Sequence, residues 1–134
     1  MKQQNKMPSD KKAGHLAIEY RPTADLKPYA KNARDHSPEQ IDAICRSIEA
    51  VGWTKPIIVD EKSEILAGHG AHKAALQLGI AEVPVITRKG LTEALKRAYR
   101  LADNKIAEKS TWMDGVLRDE LAALNSMGFD LNLT

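Results

Sequence analysis

Aromatic side chains and cysteines are both scarce in this chain of 134 residues. Aromatic residues make up only 4% of it, so the core has to be built from aliphatic side chains. The single cysteine, Cys45, excludes a framework of internal disulfides. No apolar run is long enough to span a bilayer, and no apolar leader follows the polar start MKQQNKMPSDKKAG. We therefore expect a single-domain cytoplasmic protein with no membrane partner.

Excess positive charge is confined to the first residues. The formal net charge is +2, and residues 1–13 contribute +3 through four lysines and one aspartate, which leaves −1 for the rest. We predict a disordered basic tail over 1–14, which is either simply solvated or in contact with a phosphate backbone. A later basic stretch has the same two interpretations and comprises Arg88, Lys89, Lys96, Arg97 and Arg100.

The pattern of apolar residues, turn formers and caps predicts an α+β core with a helical extension. Strands are predicted at 15–20, 56–60, 64–67 and 83–87, and helices at 38–51, 70–78, 93–106 and 114–127. The turn Glu61-Lys62-Ser63 joins the second and third strands into a hairpin. We assign 15–88 to the core and 89–134 to the extension.

The ends and faces of the helices can also be read from the sequence. Ser37 and Gln40 form a capping box around Pro38, Gly52 and Gly79 end the first two helices, and Thr92 can cap the third. We expect Cys45 to be a buried structural thiol on the first helix. In the third helix the apolar face holds Leu95, Ala98 and Leu101 or Ala102, and the polar, solvated face holds Lys96, Arg100 and Asp103. The last helix is predicted to bury Leu117, Leu121, Leu124 and Met127.

The stretch ILAGHGAHKAA, from Ile65 to Ala75, has the form of a strand that runs through Gly68-His69-Gly70 directly into a helix. Such a turn leaves backbone N–H groups unpaired at the positive end of the helix dipole, which is where phosphate and other anions bind. Lys73, one turn further, can add a full positive charge. Close packing of strand and helix explains the glycines equally well, and the P-loop pattern is absent.

Two further groups of residues could carry chemistry. His69 and His72 could share a helix face, but a zinc site needs three or four ligands, and neither His15 nor His36 has an evident reason to lie nearby. We therefore expect a hydrogen-bonding or phosphate-contacting role for His69 and a solvated side chain for His72. Asp103-Asn104 offers oxygen ligands that suit Mg²⁺ but is equally consistent with a helix-surface pair.

Four segments, taken in order, resemble the N-terminal domain of ParB proteins, of the ParB/sulfiredoxin fold. They fall within residues 15–108 and read LKPYAKNAR, SIEAVGWTKPIIV, ILAGHGAHKAALQLGIAEVPVI and AYRLADNKIAE. The first resembles a loop that ends in arginine, and the third resembles the segment that ParB proteins write as GERRxRA. The resemblance is stronger to proteins of phages and mobile elements, which write AGHGR and stand alone or are joined to a DNA methyltransferase.

The resemblance implies a small mixed sheet with flanking helices and a bound nucleoside triphosphate, CTP or ATP, with Mg²⁺. The phosphates would lie on the turn from Gly68 to Ala71. The nucleotide- and phosphate-binding positions that it implies are Arg34, Thr54, Lys55, Gly68, His69, Gly70, His72 and Lys73, with Asp103 and Asn104 near the metal.

The chain departs from the family pattern at two positions. His69 stands where the segregation proteins have glutamate, and Ala71 stands where the family has arginine, so both are the candidate catalytic positions. An alanine removes a charged hydrogen bond worth about 1.5–3 kcal/mol, or roughly ten- to a hundredfold in affinity. Either Ala71 is an engineered replacement that disables the site, or the chain is a natural member with lost or altered activity. Sulfiredoxin chemistry is disfavoured, because its catalytic cysteine would stand at position 69.

These observations predict a ParB-like domain that binds a nucleotide or another phosphate-bearing ligand on or near DNA. NTP hydrolysis is conceivable for this fold but impaired here by Ala71. One alternative is a metal-dependent, phage-type DNase with His69 near the scissile phosphate. Another is a non-catalytic adaptor that brings a DNA-modifying enzyme, such as a methyltransferase, to DNA. We expect only weak DNA binding by this chain alone, and a homodimer stays open.

Overall fold

The computed structural model describes residues 14–31, 36–109 and 113–129, with the backbone alone over 105–109. Its strands are β1 (Glu19–Pro22), β2 (Ile57–Asp60), β3 (Ile65–Ala67) and β4 (Glu82–Arg88), and its helices are α1 (Pro38–Val51), α2 (His69–Leu78), α3 (Glu93–Lys109) and α4 (Asp114–Ser126). Residues 1–13 of the basic tail predicted over 1–14 lie outside the described residues. Within the described part of the chain, none of the helices combines the length and the apolar character needed to traverse a bilayer.

The four strands form one mixed sheet in the order β1-β4-β2-β3. β2 pairs antiparallel with β3 through the predicted hairpin, and it pairs parallel with β4 on its other side. β1 closes the sheet by pairing antiparallel with β4. The prediction of an α+β fold with a small mixed sheet is therefore confirmed.

The first strand begins four residues later than the sequence predicts. Its ladder with β4 runs from Glu19 opposite Val85 to Pro22 opposite Glu82. Pro22 is tolerated because β1 is an edge strand, where a missing N–H donor is harmless. The apolar residues before it are exposed: Leu16 is 65% exposed and Ile18 is 57% exposed. Pairing with β4 sets the start of β1.

The core is aliphatic, as the composition predicts. One cluster lies mainly between the sheet and α2 and contains Leu26, Ile57, Val59, Ile65, Ala75, Val83 and Val85. A second cluster joins α1 to α2 through Ile41, Cys45 and Ala74. The thiol of Cys45 lies 3.7 Å from the carbonyl oxygen of Ala74, and burial raises its pKa. Cys45 is thus the buried structural thiol that its place on the apolar stripe predicts.

Local capping signals are confirmed at four helix ends, one of which is Gly52 at the C-terminus of α1. The Ser37 hydroxyl accepts from the Gln40 backbone N–H at 3.1 Å, and the Gln40 side chain accepts from the Ser37 backbone N–H at 2.9 Å. The Thr92 hydroxyl accepts from the Leu95 N–H at 3.1 Å in the first turn of α3. Gly79 ends α2 in the left-handed conformation at φ +72°.

Two of the three residues that the sequence assigns to the solvated face of α3, Lys96 and Arg100, are buried, so the prediction is wrong for them, whereas Asp103 is exposed. Lys96 is only 3% exposed and Arg100 only 4%, whereas Leu101 is 50% exposed. The reason is tertiary: this helix lies against the β2–β3 hairpin, where the carboxylates of Asp60 and Glu64 receive the two cations. Periodicity within the helix cannot report partners that come from another part of the chain.

The prediction that α4 buries four apolar side chains is also wrong. None of its residues is buried, although Leu117, Leu121 and Leu124 are partly covered. Met127, just past its end, is 78% exposed. The helix has the predicted apolar stripe, but it packs against too little of the described chain to exclude water.

Candidate functional site

The turn between β3 and α2 requires glycine at Gly68. This residue caps α2 in the left-handed region at φ +103°, where a side chain would be strained. A Cβ atom there would also lie 3.2 Å from the Cγ1 atom of Ile57. The Gly68 carbonyl accepts the first helical hydrogen bond, from His72 N–H at 2.9 Å, so the N–H groups of the preceding residues in the first turn have no partner within the helix.

Gly70 has a packing role of its own. A Cβ atom at this position would lie 2.9 Å from the Nε2 atom of His36 and 3.0 Å from the Cδ1 atom of Ile44. α1 and the residue before its cap therefore approach the first turn of α2 as closely as a glycine allows. The packing explanation of this glycine is thus supported, and it does not compete with anion binding at the same turn.

A cleft of about 200 Å³ opens at the N-terminus of α2. It is lined by His36, Ile44, Leu66, Ala67, Gly68, His69, Gly70, Ala71, Asp103 and Asn104. The structure therefore places the Gly-His-Gly turn and the Asp103-Asn104 pair, which are more than thirty residues apart in sequence, around one space. The sequence does not predict that His36 lies near the Gly-His-Gly turn. The one local signal for its position is that it directly precedes Ser37, the N-cap of α1.

His69 is held as a neutral imidazole. Its Nε2 atom accepts a hydrogen bond from the backbone N–H of Tyr29 at 3.1 Å, and the residue is 9% exposed. The pKa of His69 is lowered to about 4, chiefly by burial and in part by the nearby positive charge of Arg100. The ring thus carries no charge at neutral pH and cannot act as a cationic phosphate ligand.

His72 does not have the solvated side chain that the sequence predicts. It is 3% exposed, and its Nε2 atom lies 2.9 Å from the carbonyl oxygen of Thr23. Because α2 packs against the short turn Thr23–Asp25, this side of the helix is covered by that turn. His72 therefore serves the fold, on a side of α2 that does not line the cleft.

The other predicted ligand-binding residues do not gather at the cleft. Lys73, Thr54 and Lys55 are exposed, and they are not among the residues that line it. Arg34 lies outside the described residues. Of the predicted positions, the turn from Gly68 to Ala71 and the Asp103-Asn104 pair therefore line one cleft.

Arg100 is a neighbour of the site that sequence reasoning placed in solvent. Its guanidinium carbon lies 3.6 Å from the centre of the Tyr29 ring, its Nε donates to the Ile65 carbonyl at 3.1 Å, and its Nη2 donates to Glu64 at 3.3 Å. It stands one turn before Asp103 on α3. Tyr29 thus connects two parts of the site, with its ring against Arg100 and its N–H on His69.

The chain belongs to the ParB N-terminal domain family, whose model matches residues 7–105. It is 51% identical over 82 residues to the ParB-like nuclease domain-containing protein YnaK of Escherichia coli K12. This match covers 61% of this chain and 94% of YnaK. It is 36% identical over 74 residues to the probable chromosome 2-partitioning protein ParB of Deinococcus radiodurans, covering 53% of this chain but only 25% of that protein.

Solved structures of the same fold agree with the predicted ParB/sulfiredoxin architecture. The C-terminally truncated ParB of Caulobacter crescentus, complexed with CTP-gamma-S, matches with a TM-score of 0.62 at 20% identity, over 72% of this chain and 56% of that one. Sulfiredoxin from Arabidopsis thaliana matches with a TM-score of 0.52 at 23% identity, over 62% of this chain and 96% of that one. At these identities the likeness concerns the fold.

Proposed function

We propose that the cleft binds the phosphate groups of a nucleoside triphosphate. The observation that carries this proposal is the shared lining of the cleft by the first turn of α2 and by the Asp103-Asn104 pair of α3. The N–H groups of that turn, which have no partner within the helix, suit phosphate oxygens, and the helix dipole adds to their attraction. The ParB of Caulobacter crescentus was solved with a nucleotide of this class, which supports the choice of ligand.

The size of the cleft indicates which part of the nucleotide it would hold. Its volume of about 200 Å³ is below the roughly 300–1,000 Å³ of sites that enclose a whole small molecule. We therefore place the phosphates in the cleft and the nucleoside outside it. Thr54 and Lys55, exposed before β2, are available for contacts outside the cleft, and Lys73 and Arg34 would add positive charge.

Asp103 and Asn104 fit a magnesium ion that arrives with the phosphates. Mg²⁺ is usually held by one or two carboxylates together with phosphate oxygens and waters. The cleft offers one carboxylate and one amide oxygen, and the described residues contain no cluster of three His, Cys, Asp or Glu side chains that could hold a metal by themselves. Asp103 and Asn104 would hold the ion, and its positive charge would offset the negative charge of the phosphates.

Ala71 would weaken this site without destroying it. It lines the cleft and packs partly against the core, so a longer side chain there would start from the cleft wall. Calorimetric titration of CTP, ATP, GTP and UTP with Mg²⁺ tests the proposal in this chain and in Ala71→Arg. We expect one nucleotide to bind Ala71→Arg roughly ten- to a hundredfold more tightly, the gain of one charged hydrogen bond.

A matched pair of acid variants tests where the metal binds. Asp103→Asn removes a carboxylate from the cleft, and Asp119→Asn removes an exposed one from α4. We expect the first change to weaken Mg²⁺-dependent nucleotide binding by tenfold or more and the second to leave it unchanged. Absence of nucleotide binding by both the parent chain and Ala71→Arg would refute the proposal.

A second candidate function is metal-dependent DNA cleavage. It is favoured by the relative that is 51% identical and is described as a ParB-like nuclease domain-containing protein. Under this proposal the cleft holds a backbone phosphate of DNA, and plasmid DNA is nicked in Mg²⁺ but not in EDTA. An adaptor for a DNA-modifying enzyme such as a methyltransferase would instead bind DNA in a salt-dependent manner with neither cleavage nor a nucleotide requirement.

A further inference from the structure

The hydrogen bond that His69 accepts from Tyr29 limits where its ring proton can lie. We infer that His69 offers its Nδ1–H group to the ligand as a fixed hydrogen-bond donor, and that its Nε2 atom is unavailable as a general base or metal ligand. The identity of the ligand, a phosphate oxygen, rests on the proposed function; the position of the proton does not. This role differs from that of a proton-transfer group.

The argument starts from the hydrogen bond between Tyr29 and His69. A backbone N–H group can only donate, so the Nε2 atom that receives it at 3.1 Å must present its lone pair. A neutral imidazole carries one ring proton, which then has to be on Nδ1. A proton on Nε2 would point at the N–H group of Tyr29, and because two donors repel each other this hydrogen bond would be lost.

The backbone that supplies this N–H group is anchored on both sides of the site. Lys27, two residues before Tyr29, exchanges backbone hydrogen bonds of 2.8 Å with Ser63 and Ile65 at the edge of β3. The Tyr29 ring lies against the guanidinium of Arg100, which is itself 4% exposed. The donor to His69 is therefore held by the sheet and by α3 together.

The surrounding charges act in the same direction. Burial is the largest cause that lowers the pKa of His69 to about 4. Arg100 on α3, His36 before α1, and His72 and Lys73 on α2 contribute in the same direction. Asp103 is the acid that lines the same cleft. The ring thus stays neutral near pH 7 and retains one N–H donor, on a residue that lines the cleft.

The proton position can be measured directly on the full chain without a ligand. Long-range ¹H–¹⁵N correlation spectra of the ¹⁵N-labelled protein at pH 7 distinguish a protonated from an unprotonated ring nitrogen. We expect Nδ1 of His69 to be protonated and Nε2 to be unprotonated. A proton on Nε2 would overturn the inference, irrespective of what the cleft binds.

The donor role is tested with inorganic pyrophosphate as the probe. His69→Asn keeps an amide at about the position of Nδ1, whereas His69→Gln keeps one near Nε2; amide spectra check that both fold. We expect pyrophosphate affinity within about threefold for His69→Asn and a loss of roughly tenfold for His69→Gln and His69→Ala. Binding that is insensitive to all three changes would overturn the donor role. A protonated Nδ1 with no anion binding by the parent chain would support the assigned proton position and refute the proposed function.

Discussion

The ammonium nitrogen of Lys96 on α3 lies 2.9 Å from the Oδ2 atom of Asp60 at the end of β2, and both side chains are almost fully buried. The other carboxylate oxygen, Oδ1, accepts from the backbone N–H groups of Lys62 and Glu64, each at 2.9 Å. Burial alone would raise the pKa of Asp60, but these contacts outweigh it and hold the pKa below its ordinary value. The same contact raises the pKa of Lys96. The pair thus attaches α3, which carries Asp103 and Asn104, to the hairpin.

Removing one partner of this buried pair should be more harmful than removing both. We expect Asp60→Asn to lower the free energy of unfolding by about 3–5 kcal/mol, because it leaves the ammonium of Lys96 without its main counter-charge. The double variant Asp60→Asn/Lys96→Met should recover part of that loss. Urea unfolding of the parent, both single variants and the double variant gives the coupling energy.

The control for this pair is Arg97→Met, which removes an exposed cation next to Lys96 on the same helix. We expect it to change stability by less than about 0.5 kcal/mol. Additive effects of the two buried substitutions would show that Lys96 and Asp60 do not interact.

The orientation of α3 can be tested by two neighbouring substitutions. Leu101→Gln replaces an apolar residue that is 50% exposed, and we expect a change within about 0.5 kcal/mol. Arg100→Gln leaves the Ile65 carbonyl and the Glu64 carboxylate without their donor, at a cost of about 1–3 kcal/mol. Thermal unfolding of both variants measures the difference, and the opposite order would mean that the apolar face of α3 is the buried one.

Gly70 and Gly115 provide a matched pair of helical glycines. Gly70→Ala would press a Cβ atom against His36 and Ile44, and overpacking of this kind costs about 1–3 kcal/mol. In α4, a Cβ atom at Gly115 meets nothing within 4 Å, so Gly115→Ala should stabilise by up to about 1 kcal/mol through helix propensity. Chemical unfolding compares them; equal stabilisation by both would contradict the close approach of α1 at the cleft.

His69 should make the protein less stable in mild acid. Its pKa is about 4 when folded and 6.5 when unfolded, so between these values the unfolded chain binds a proton that the folded chain does not. Stability therefore falls as the pH falls from 6.5 towards 4, by at most about 3 kcal/mol, and this contribution is constant below pH 4. Urea unfolding at pH 7.0, 5.5 and 4.5 measures the slope.

The comparison for this pH dependence is His69→Gln, which keeps an acceptor near the Tyr29 N–H group but cannot titrate. It should lose less stability than the parent over the same pH range. Identical slopes in the two proteins would show that His69 titrates normally in the folded state.

Much of the local structure follows from the sequence by itself. The capping box of Ser37 and Gln40, the hairpin between β2 and β3, and the turn at Gly68 all depend on residues that are close in sequence. Short-range hydrogen bonds and conformational preferences suffice to define such features, so the α+β class and the Gly-His-Gly turn could be predicted, whereas the mixed sheet is expected from the family resemblance.

Only the tertiary structure decides which faces are buried and which distant residues meet. Lys96 and Arg100 look like solvent-facing cations on α3 until the hairpin brings Asp60 and Glu64 to them. His36, which precedes α2 in sequence, and Asp103, which follows it, both lie at the cleft beside its first turn. His72 is buried against the turn at Thr23, some fifty residues earlier in the chain. A hydrophobic pattern records what a side chain prefers on average, whereas a buried charge or histidine depends on one particular partner. That partner is set by the packing of the whole chain.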